Sequence, residues 1–167
     1  MRRYGWTLAL VWLMIPVIAA AGDLAETEAA IDTVLSTLHQ AAADADGEVY
    51  FGLFADGAVF MGTDATERWS VAEFRAFAEP YFSTGRGWTY VNRERNITLS
   101  TDGTTAWFDE MLWNDSYGTC RGTGVLVLSG GGWRIAQYNL TIPIPNDLAG
   151  GIAEKIKEYE SLESATQ

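Results

Sequence analysis

Two adjacent carboxylates, Asp109 and Glu110, lie in the middle of an otherwise apolar stretch that reads AWFDEMLW over residues 106–113. Side chains alternate between the two faces of a β-strand, so each face of this stretch would carry one acid among apolar neighbours. A buried carboxylate whose pKa is raised by apolar surroundings can act as a general acid or base. A buried carboxylate that is paired with a cation stays charged and serves the structure instead. Both chemistries are open for whichever acid is inside.

The turn signal Asp102-Gly103 predicts which acid is inside. If these residues form a two-residue hairpin loop, Arg95 lies opposite Glu110 and Asn96 lies opposite Asp109. The face that carries Glu110 then holds aliphatic pairs and one opposite-charge pair, while the other face is more polar. We therefore predict that Glu110 points inward and Asp109 outward. Glu110 could be a catalytic acid or base, or it could be a structural partner of Arg95.

The later strands predict a polar pocket beside this acid. With Gly130-Gly131 as a second two-residue loop, Gln137 lies opposite Gly124 and Asn139 lies opposite Gly122. If the longer loop NDSYG pairs Glu110 with Gly122, Glu110 joins the same row, whereas a slip of one residue would turn the side chains of a strand to the other face. Glycine weakens a strand unless a bulge or a closely approaching ligand needs the room. Gln137 and Asn139 could bind a ligand carbonyl or hydroxyl, or they could equally satisfy buried backbone groups.

Other reactive side chains are scarce. The chain has one histidine, His39, and one cysteine, Cys120. This number nearly excludes a tetrahedral zinc site, and no Gly-x-Ser-x-Gly elbow for a catalytic serine is present. His39 lies one position beyond the apolar stripe of a predicted helix, and we interpret it as a residue that flanks the buried face. We predict neither a metal nor any other cofactor.

The elements that position these residues are helices first and strands second. Capping-box patterns at Asp23 and Ser70 predict helices over about 24–44 and 71–83, with a short helix at GEVYFGLF and a brief strand at GAVFMG between them. From Trp88 onward the hydrophobic period becomes two, which predicts strands over 88–100, 104–113, 119–129 and 132–142. Four consecutive antiparallel strands after the helices indicate an α+β fold, with the helices packed on one face of a curled sheet.

The amino terminus predicts export. Arg2 and Arg3 precede an apolar run from Trp6 to Ala21, which is typical of a secretory signal peptide cleaved after Ala21. The run is shorter than the roughly 20 apolar residues that span a membrane, so we expect a periplasmic or secreted protein with no stable membrane span after cleavage. The 11 basic and 22 acidic residues give a net charge of −11. This charge argues against nucleic-acid binding, which needs a basic face.

Three segments together resemble the SnoaL-like family of the nuclear transport factor two-like superfamily: YFGLFADGAVFMGTDATERW at 50–69, the AWFDE strand, and GWRIAQYNLTIPIPN at 132–146. The resemblance covers roughly residues 24–148. We divide the chain into a signal peptide (1–21), a SnoaL-like domain (22–148) and a carboxyl-terminal helix or tail (149–167). The resemblance implies a cone-shaped fold, in which a strongly bent antiparallel sheet wraps around the amino-terminal helices, and commonly a homodimer formed through the outer face of the sheet.

The resemblance also implies a cone pocket for a small hydrophobic molecule. The residues expected around it are Glu110 as the catalytic group and Arg95, Gln137, Asn139, Phe108, Trp69, Tyr81 and Trp88 as ligand contacts. Aromatic residues at such positions are more often core, and the loop acids Asp64 and Glu67 are more often solvated. Two functions stay open: an exported protein that binds, or transforms by acid/base chemistry, a small apolar molecule, and a non-enzymatic dimeric module with a filled cone. A cavity of roughly 300 Å³ that reaches Glu110 and Asn139 would favour the first.

Overall fold

The computed structural model describes residues 18–164, which form four α-helices and one six-stranded sheet. The elements are α1 (Ile18–Ala43), α2 (Gly47–Gly52), β1 (Phe54–Met61), β2 (Arg68–Ser70), α3 (Val71–Phe82), β3 (Val91–Leu99), β4 (Thr105–Asn114), β5 (Gly118–Ser129), β6 (Gly132–Thr141) and α4 (Asn146–Ser164). The predicted α+β class is confirmed. Most of the predicted signal peptide lies outside the described residues. The last residues of the predicted carboxyl-terminal tail also lie outside them.

The helices follow the predicted apolar periods. In α1 the buried residues recur at helical spacing, with Ile31, Leu35 and Leu38 almost fully enclosed. The start of α3 is fixed by the predicted capping box, because Ser70 Oγ accepts from the backbone N–H of Glu73 at 3.3 Å and Ser70 N donates to Glu73 Oε2 at 2.8 Å. The capping box predicted at Asp23 is wrong, since α1 already begins at Ile18.

The strands are arranged in the order β2-β1-β6-β5-β4-β3. Strands β3 to β6 form the predicted antiparallel meander, whereas β1 pairs in parallel with β6 and carries the short edge strand β2. The sheet is therefore mixed rather than purely antiparallel. The pairing of β1 with β6 brings the segment after α2 beside the last strand, and it places Phe60 next to Tyr138.

Two of the predicted strand registers hold only near their turns. Arg95 lies opposite Glu110 as predicted, but an irregularity between Asn92 and Glu94 shifts the far end of β3 by one residue, so that Asn92 faces Leu112 where an unbroken register would place Arg93. The predicted pairing of Glu110 with Gly122 is confirmed, and the same register holds without a shift along the whole of β4 and β5. Along β6, the register shifts by one residue after Ile135.

The core lies between the helices and the inner face of the sheet, and one part of it is almost wholly aromatic. Tyr50 of α2 packs within 5.0–6.0 Å, centroid to centroid, of four phenylalanines and Trp88. Edge-to-face packing of this kind adds to the stabilisation that comes from burying apolar area. Within residues 18–164, no helix is both long and apolar enough to cross a membrane.

Candidate functional site

Glu110 is the one charged residue that is completely buried among the described residues, and both of its carboxylate oxygens are occupied. Oε1 accepts from Tyr138 Oη at 2.7 Å and from His39 Nε2 at 2.8 Å. Oε2 accepts from Arg95 Nε at 2.9 Å, and Arg95 Nη2 lies 2.7 Å from the same oxygen. Asn92 Nδ2 donates to the same Oε2 in a longer hydrogen bond of 3.5 Å. The prediction that Glu110 points inward opposite Arg95 is confirmed.

Arg95 joins this carboxylate to helix α1. Its side chain is only 4% exposed, and its Nη1 donates to Asp32 Oδ1 at 2.6 Å, to the Asp32 carbonyl at 3.1 Å and to Ser36 Oγ at 3.1 Å. The guanidinium therefore has a buried carboxylate on one side and a half-exposed one on the other. Such a fork matches two acceptors at once in a way that a lysine could not. These two ion pairs of Arg95, with Asp32 and with Glu110, attach the first helix to the middle of the sheet.

The contacts keep Glu110 charged. Burial alone raises the pKa of this carboxyl, but the hydrogen bond and charge of His39, then the charge of Arg95 and the hydrogen bond from Tyr138, outweigh burial and place the pKa below its usual value. A carboxylate with a lowered pKa is a weak proton donor and a weak base near neutral pH. These contacts match the ion-pair alternative that the sequence left open for Glu110.

Tyr138, on β6, completes the group of side chains that we call the Glu110 cluster: Glu110, Arg95, His39 and Tyr138. Its side chain is buried, and burial together with the neighbouring Glu110 charge raises the pKa of the phenol well above its ordinary value. Tyr138 therefore remains a neutral donor at any ordinary pH, and it always has a proton to give to Glu110 Oε1. Tyr138 was not predicted as a site residue, because the predicted register placed Gln137 and Asn139 on the inner face instead.

The predicted pairings of Gln137 with Gly124 and of Asn139 with Gly122 are wrong. Val125 pairs with Gln137 and Leu126 pairs with Ile135, so Ala136 is an extra residue in β6. An extra residue of this kind is a β-bulge, and it moves every later side chain to the opposite face. Gln137 is exposed and Asn139 is only partly buried, opposite Thr123.

The two glycines of β5 make room for the protein's own side chains. A Cβ at Gly122 would clash with the Tyr138 hydroxyl and lie 2.7 Å from Glu110 Oε1. A Cβ at Gly124 would clash with the backbone carbonyl of Gln137 and lie 2.8 Å from the Phe108 ring. Phe108 is buried against Tyr138, with 5.8 Å between ring centroids. The room that the glycines leave is therefore filled by the cluster and its packing.

His39 contacts the cluster directly, contrary to its interpretation as a flanking residue. Since a carboxylate can only accept, His39 Nε2 carries the proton in the 2.8 Å bond to Glu110. The ring is 12% exposed and meets the Tyr138 ring edge to face at 6.3 Å. His39 and Tyr138 also line an inner void of about 20 Å³, which is room for about one water molecule. The spacing in α1 could have indicated that His39 points inward, because His39 lies four residues, or about one helical turn, after the buried Leu35.

A larger open pocket lies next to the inner void, and we call it the aromatic pocket. It measures about 220 Å³. Seven of its lining residues are aromatic: Phe60, Trp69, Phe74, Phe77, Trp88, Tyr90 and Tyr117. The remaining ones are Gly62, Thr63, Glu67 and Leu140. Four residues line both spaces: Phe60, Trp88, Tyr90 and Leu140. Glu110, Arg95, His39 and Tyr138 are not among the residues that line the aromatic pocket.

The structure distributes the sequence-predicted site residues over several places. Trp69 and Trp88 line the aromatic pocket. Tyr81 is 40% exposed and packs on Phe77 and under the Arg86 guanidinium, outside the lining. Neither Glu110 nor Asn139 lines the aromatic pocket or the inner void. The 300 Å³ cavity that would have joined them is therefore not formed by these two spaces.

The described part of the chain contains no cluster of side chains that could bind a metal ion. Across residues 18–164, no group of three or more His, Cys, Asp and Glu side chains could hold a metal ion. Cys120 is a free thiol on the inner face of β5, where it is fully buried. A buried thiol of this kind behaves as a small apolar side chain.

Solved structures of low sequence identity share this fold. A nuclear transport factor two-like protein with a cystatin-like fold from Novosphingobium aromaticivorans superposes with a TM-score of 0.61 at 14% identity, over 77% of this chain and 91% of that one. A candidate scytalone dehydratase from the same organism gives 0.60 at 14% identity, over 75% and 89%. A candidate dehydratase of the nuclear transport factor two-like family from Streptomyces avermitilis gives 0.60 at 13% identity, over 72% and 99%.

Sequence comparison assigns the family more directly. A search of curated proteins finds no significant match. The family model described as the SnoaL-like domain matches residues 31–145, which is more than half of the chain and includes the Glu110 cluster and the aromatic pocket. This protein therefore belongs to the SnoaL-like family.

Proposed function

We propose that this protein binds a small, largely apolar molecule in the aromatic pocket. The observation that carries the proposal is an open pocket of about 220 Å³ whose wall is mainly aromatic and includes the polar side chains of Thr63 and Glu67. Binding sites for small molecules are typically concave, mostly apolar and supplied with a few polar groups. The volume is below the usual range for drug-sized ligands, so the occupant is small.

The Glu110 cluster has a supporting role in this proposal. Its carboxylate is fully occupied by protein donors, its charge is held by Arg95, and it does not line the aromatic pocket. We therefore assign Glu110, Arg95 and His39 to the fixing of α1 on the sheet.

Indole is a suitable neutral probe, and two exposed tyrosines supply a matched pair of variants. Tyr117 lines the aromatic pocket and is 55% exposed, while Tyr81 is 40% exposed and lies outside the lining. Saturable shifts of the Trp69 and Trp88 indole N–H signals in NMR titrations are expected with indole. Tyr117→Ala should weaken this binding about fivefold or more, which corresponds to about 1 kcal/mol, and Tyr81→Ala should leave it within about twofold.

Native mass spectrometry of the protein purified from its own source provides an independent readout. A bound small molecule that is lost from Tyr117→Ala and kept by Tyr81→Ala would support the proposal. The absence of both a retained molecule and a saturable indole shift at Trp69 and Trp88 would overturn it.

A homodimer through the outer face of the sheet is compatible with this function, and we propose it as the state in solution. Trp107 is 49% exposed on that face, opposite the half-buried Val125, and Val127 lies two residues further along β5. An exposed apolar patch on a sheet is a typical contact between copies of a chain. Sedimentation equilibrium measures the state directly, and a monomer at micromolar concentration would contradict this assignment.

We also propose that the protein is exported and that residues 1–21 are removed on export. The proposal rests on the basic start, the short apolar run and the small residues that end it. The intact mass of the protein recovered from its own host tests it, because cleavage after Ala21 leaves a chain that begins at Gly22. A full-length chain recovered from the cytoplasm would refute it.

A further inference from the structure

Glu67 places a negative charge at the aromatic pocket, and among the described residues no basic side chain lines the pocket with it. The side chain is half-buried, and within residues 18–164 Glu67 forms no salt bridge. Its Oε2 accepts from the backbone N–H of Asp64 at 3.1 Å, and a Cβ at Gly62 would clash with this oxygen. The loop therefore holds the carboxylate in one place, with space cleared for it by a glycine.

Charge and ring chemistry together select a class of ligand. The faces of Trp, Tyr and Phe rings are negative, so a cation within about 6 Å of a ring centroid is attracted to them. A carboxylate in partly apolar surroundings is stabilised by an opposite charge close by. A neutral apolar ligand would cover Glu67 and leave its charge without a partner, which is unfavourable. The net charge of −11 also raises the local concentration of cations.

Inorganic cations fit this pocket poorly. Calcium takes six to eight oxygen ligands, and magnesium demands octahedral geometry and keeps several waters. The lining offers one carboxylate among aromatic rings instead. Rings and a single carboxylate suit a weakly hydrated cation that carries its own apolar surface.

We infer that the aromatic pocket takes an organic cation, an ammonium group with apolar substituents, with Glu67 as its counter-charge and the rings of Trp69, Trp88 and Tyr90 around it. This inference rests on the proposed function and names the class of its ligand. Tyr90 suits the role as a neutral ring, because burial, with smaller effects from neighbouring groups that include Glu67, raises its pKa to about 12.

Choline and 3,3-dimethylbutan-1-ol are the probes, since the alcohol has the same shape with carbon in place of the charged nitrogen. NMR titrations of the Trp69 and Trp88 indole N–H signals in 0.15 M salt should give choline about a tenfold lower Kd than the alcohol. Glu67→Gln keeps an acceptor for the Asp64 N–H and should weaken choline about fivefold or more while leaving the alcohol within about twofold. Glu79→Gln removes the same charge from an exposed position of α3 outside the lining and should change neither Kd.

Failure of the organic-cation inference and failure of the proposed small-molecule binding give different results in these titrations. Equal binding of both probes, or a choline affinity that Glu67→Gln does not change, would overturn the organic-cation inference while small-molecule binding stands. If neither probe, nor indole, shifts the two tryptophan signals, binding at the aromatic pocket fails, and the choice of ligand class fails with it.

Discussion

Glu110→Gln tests whether this residue is a structural partner or a free catalytic acid. In the native protein Oε1 accepts from His39 and Tyr138, and Oε2 accepts from Arg95. A glutamine supplies one oxygen and one NH₂ group, so whichever way the amide lies, its NH₂ meets a donor. Arg95 would also lose its buried counter-charge, although Asp32 remains on its other side.

The expected loss is large for a change of one atom. Removal of one partner from a buried ion pair typically costs about 3–5 kcal/mol, and the remaining contact with Asp32 puts the expectation at the lower end, about 3 kcal/mol. For a domain of this size, such a loss lowers Tm by roughly 6–12 °C. Urea denaturation followed by tryptophan fluorescence measures it as a shift in the midpoint at unchanged slope.

The neighbouring acid supplies the control. Asp109→Asn makes the same chemical change one residue earlier, on the exposed outer face, where Asp109 accepts from Asn96 Nδ2 at 3.0 Å. A surface substitution of this kind stays within about 0.5 kcal/mol. If Glu110→Gln were no more destabilising than Asp109→Asn, the ion-pair assignment would be refuted and a free acid at Glu110 would return as the better explanation.

Three further predictions use the same structure. The folded-state pKa of Glu110 lies below its unfolded value, so the stability that Glu110 contributes is fully present above the ordinary carboxyl range. This stability is lost as the pH falls through the folded-state pKa. Urea midpoints measured from pH 6 to pH 3 should therefore fall more steeply for the wild type than for Glu110→Gln. Gly122→Ala forces a Cβ against Tyr138 and should cost about 1–3 kcal/mol, whereas Gly52→Ala, with nothing within 4 Å of the added carbon, should be neutral or slightly stabilising; equal midpoints would contradict this. Trp107→Lys should convert the dimer to a monomer in sedimentation equilibrium, and an unchanged dimer would show that the interface lies elsewhere.

Turn chemistry made much of the sheet predictable. The two glycines of the last hairpin both adopt positive φ, 61° and 81°, which a two-residue loop of the predicted kind requires. Counting outward from the Asp102-Gly103 turn paired Arg95 with Glu110 and Asn96 with Asp109 correctly. Counting assumes one residue opposite one residue, and it therefore fails wherever a bulge adds a residue to one strand.

The bulge in β6 left a signal that strict alternation overlooked. Trp133 and Ile135 are buried at odd positions, while Tyr138 and Leu140 are buried at even ones. A change of parity within one apolar strand indicates an extra residue between the two halves. The sequence contained this change of parity, and the register that ignored it placed two amides inward where a tyrosine and a leucine belong.

The contact of His39 with Glu110 was hidden by distance along the chain. The two residues are 71 positions apart, and only the packing of α1 against the sheet brings them together. Helical periodicity predicts which face of α1 is buried, but it does not predict which strand lies under each turn. The side chains at the edge of the apolar stripe, His39 among them, therefore stayed ambiguous until the helix was placed.

The residues of the Glu110 cluster do not line the aromatic pocket, and this separation decides between the two roles that the sequence left open for Glu110, a catalytic acid or base and a structural partner of Arg95. An acid/base enzyme centred on Glu110 would need the ligand within about 3 Å of the carboxylate, or one water away. Instead Tyr138, His39 and Arg95 occupy both oxygens, and Glu110 is absent from the lining of the aromatic pocket and of the inner void. Changes in the cluster should therefore alter stability without altering ligand preference, while changes at Glu67 should do the reverse. A variant of Glu110 that kept its stability but lost binding would place the ligand at the cluster after all.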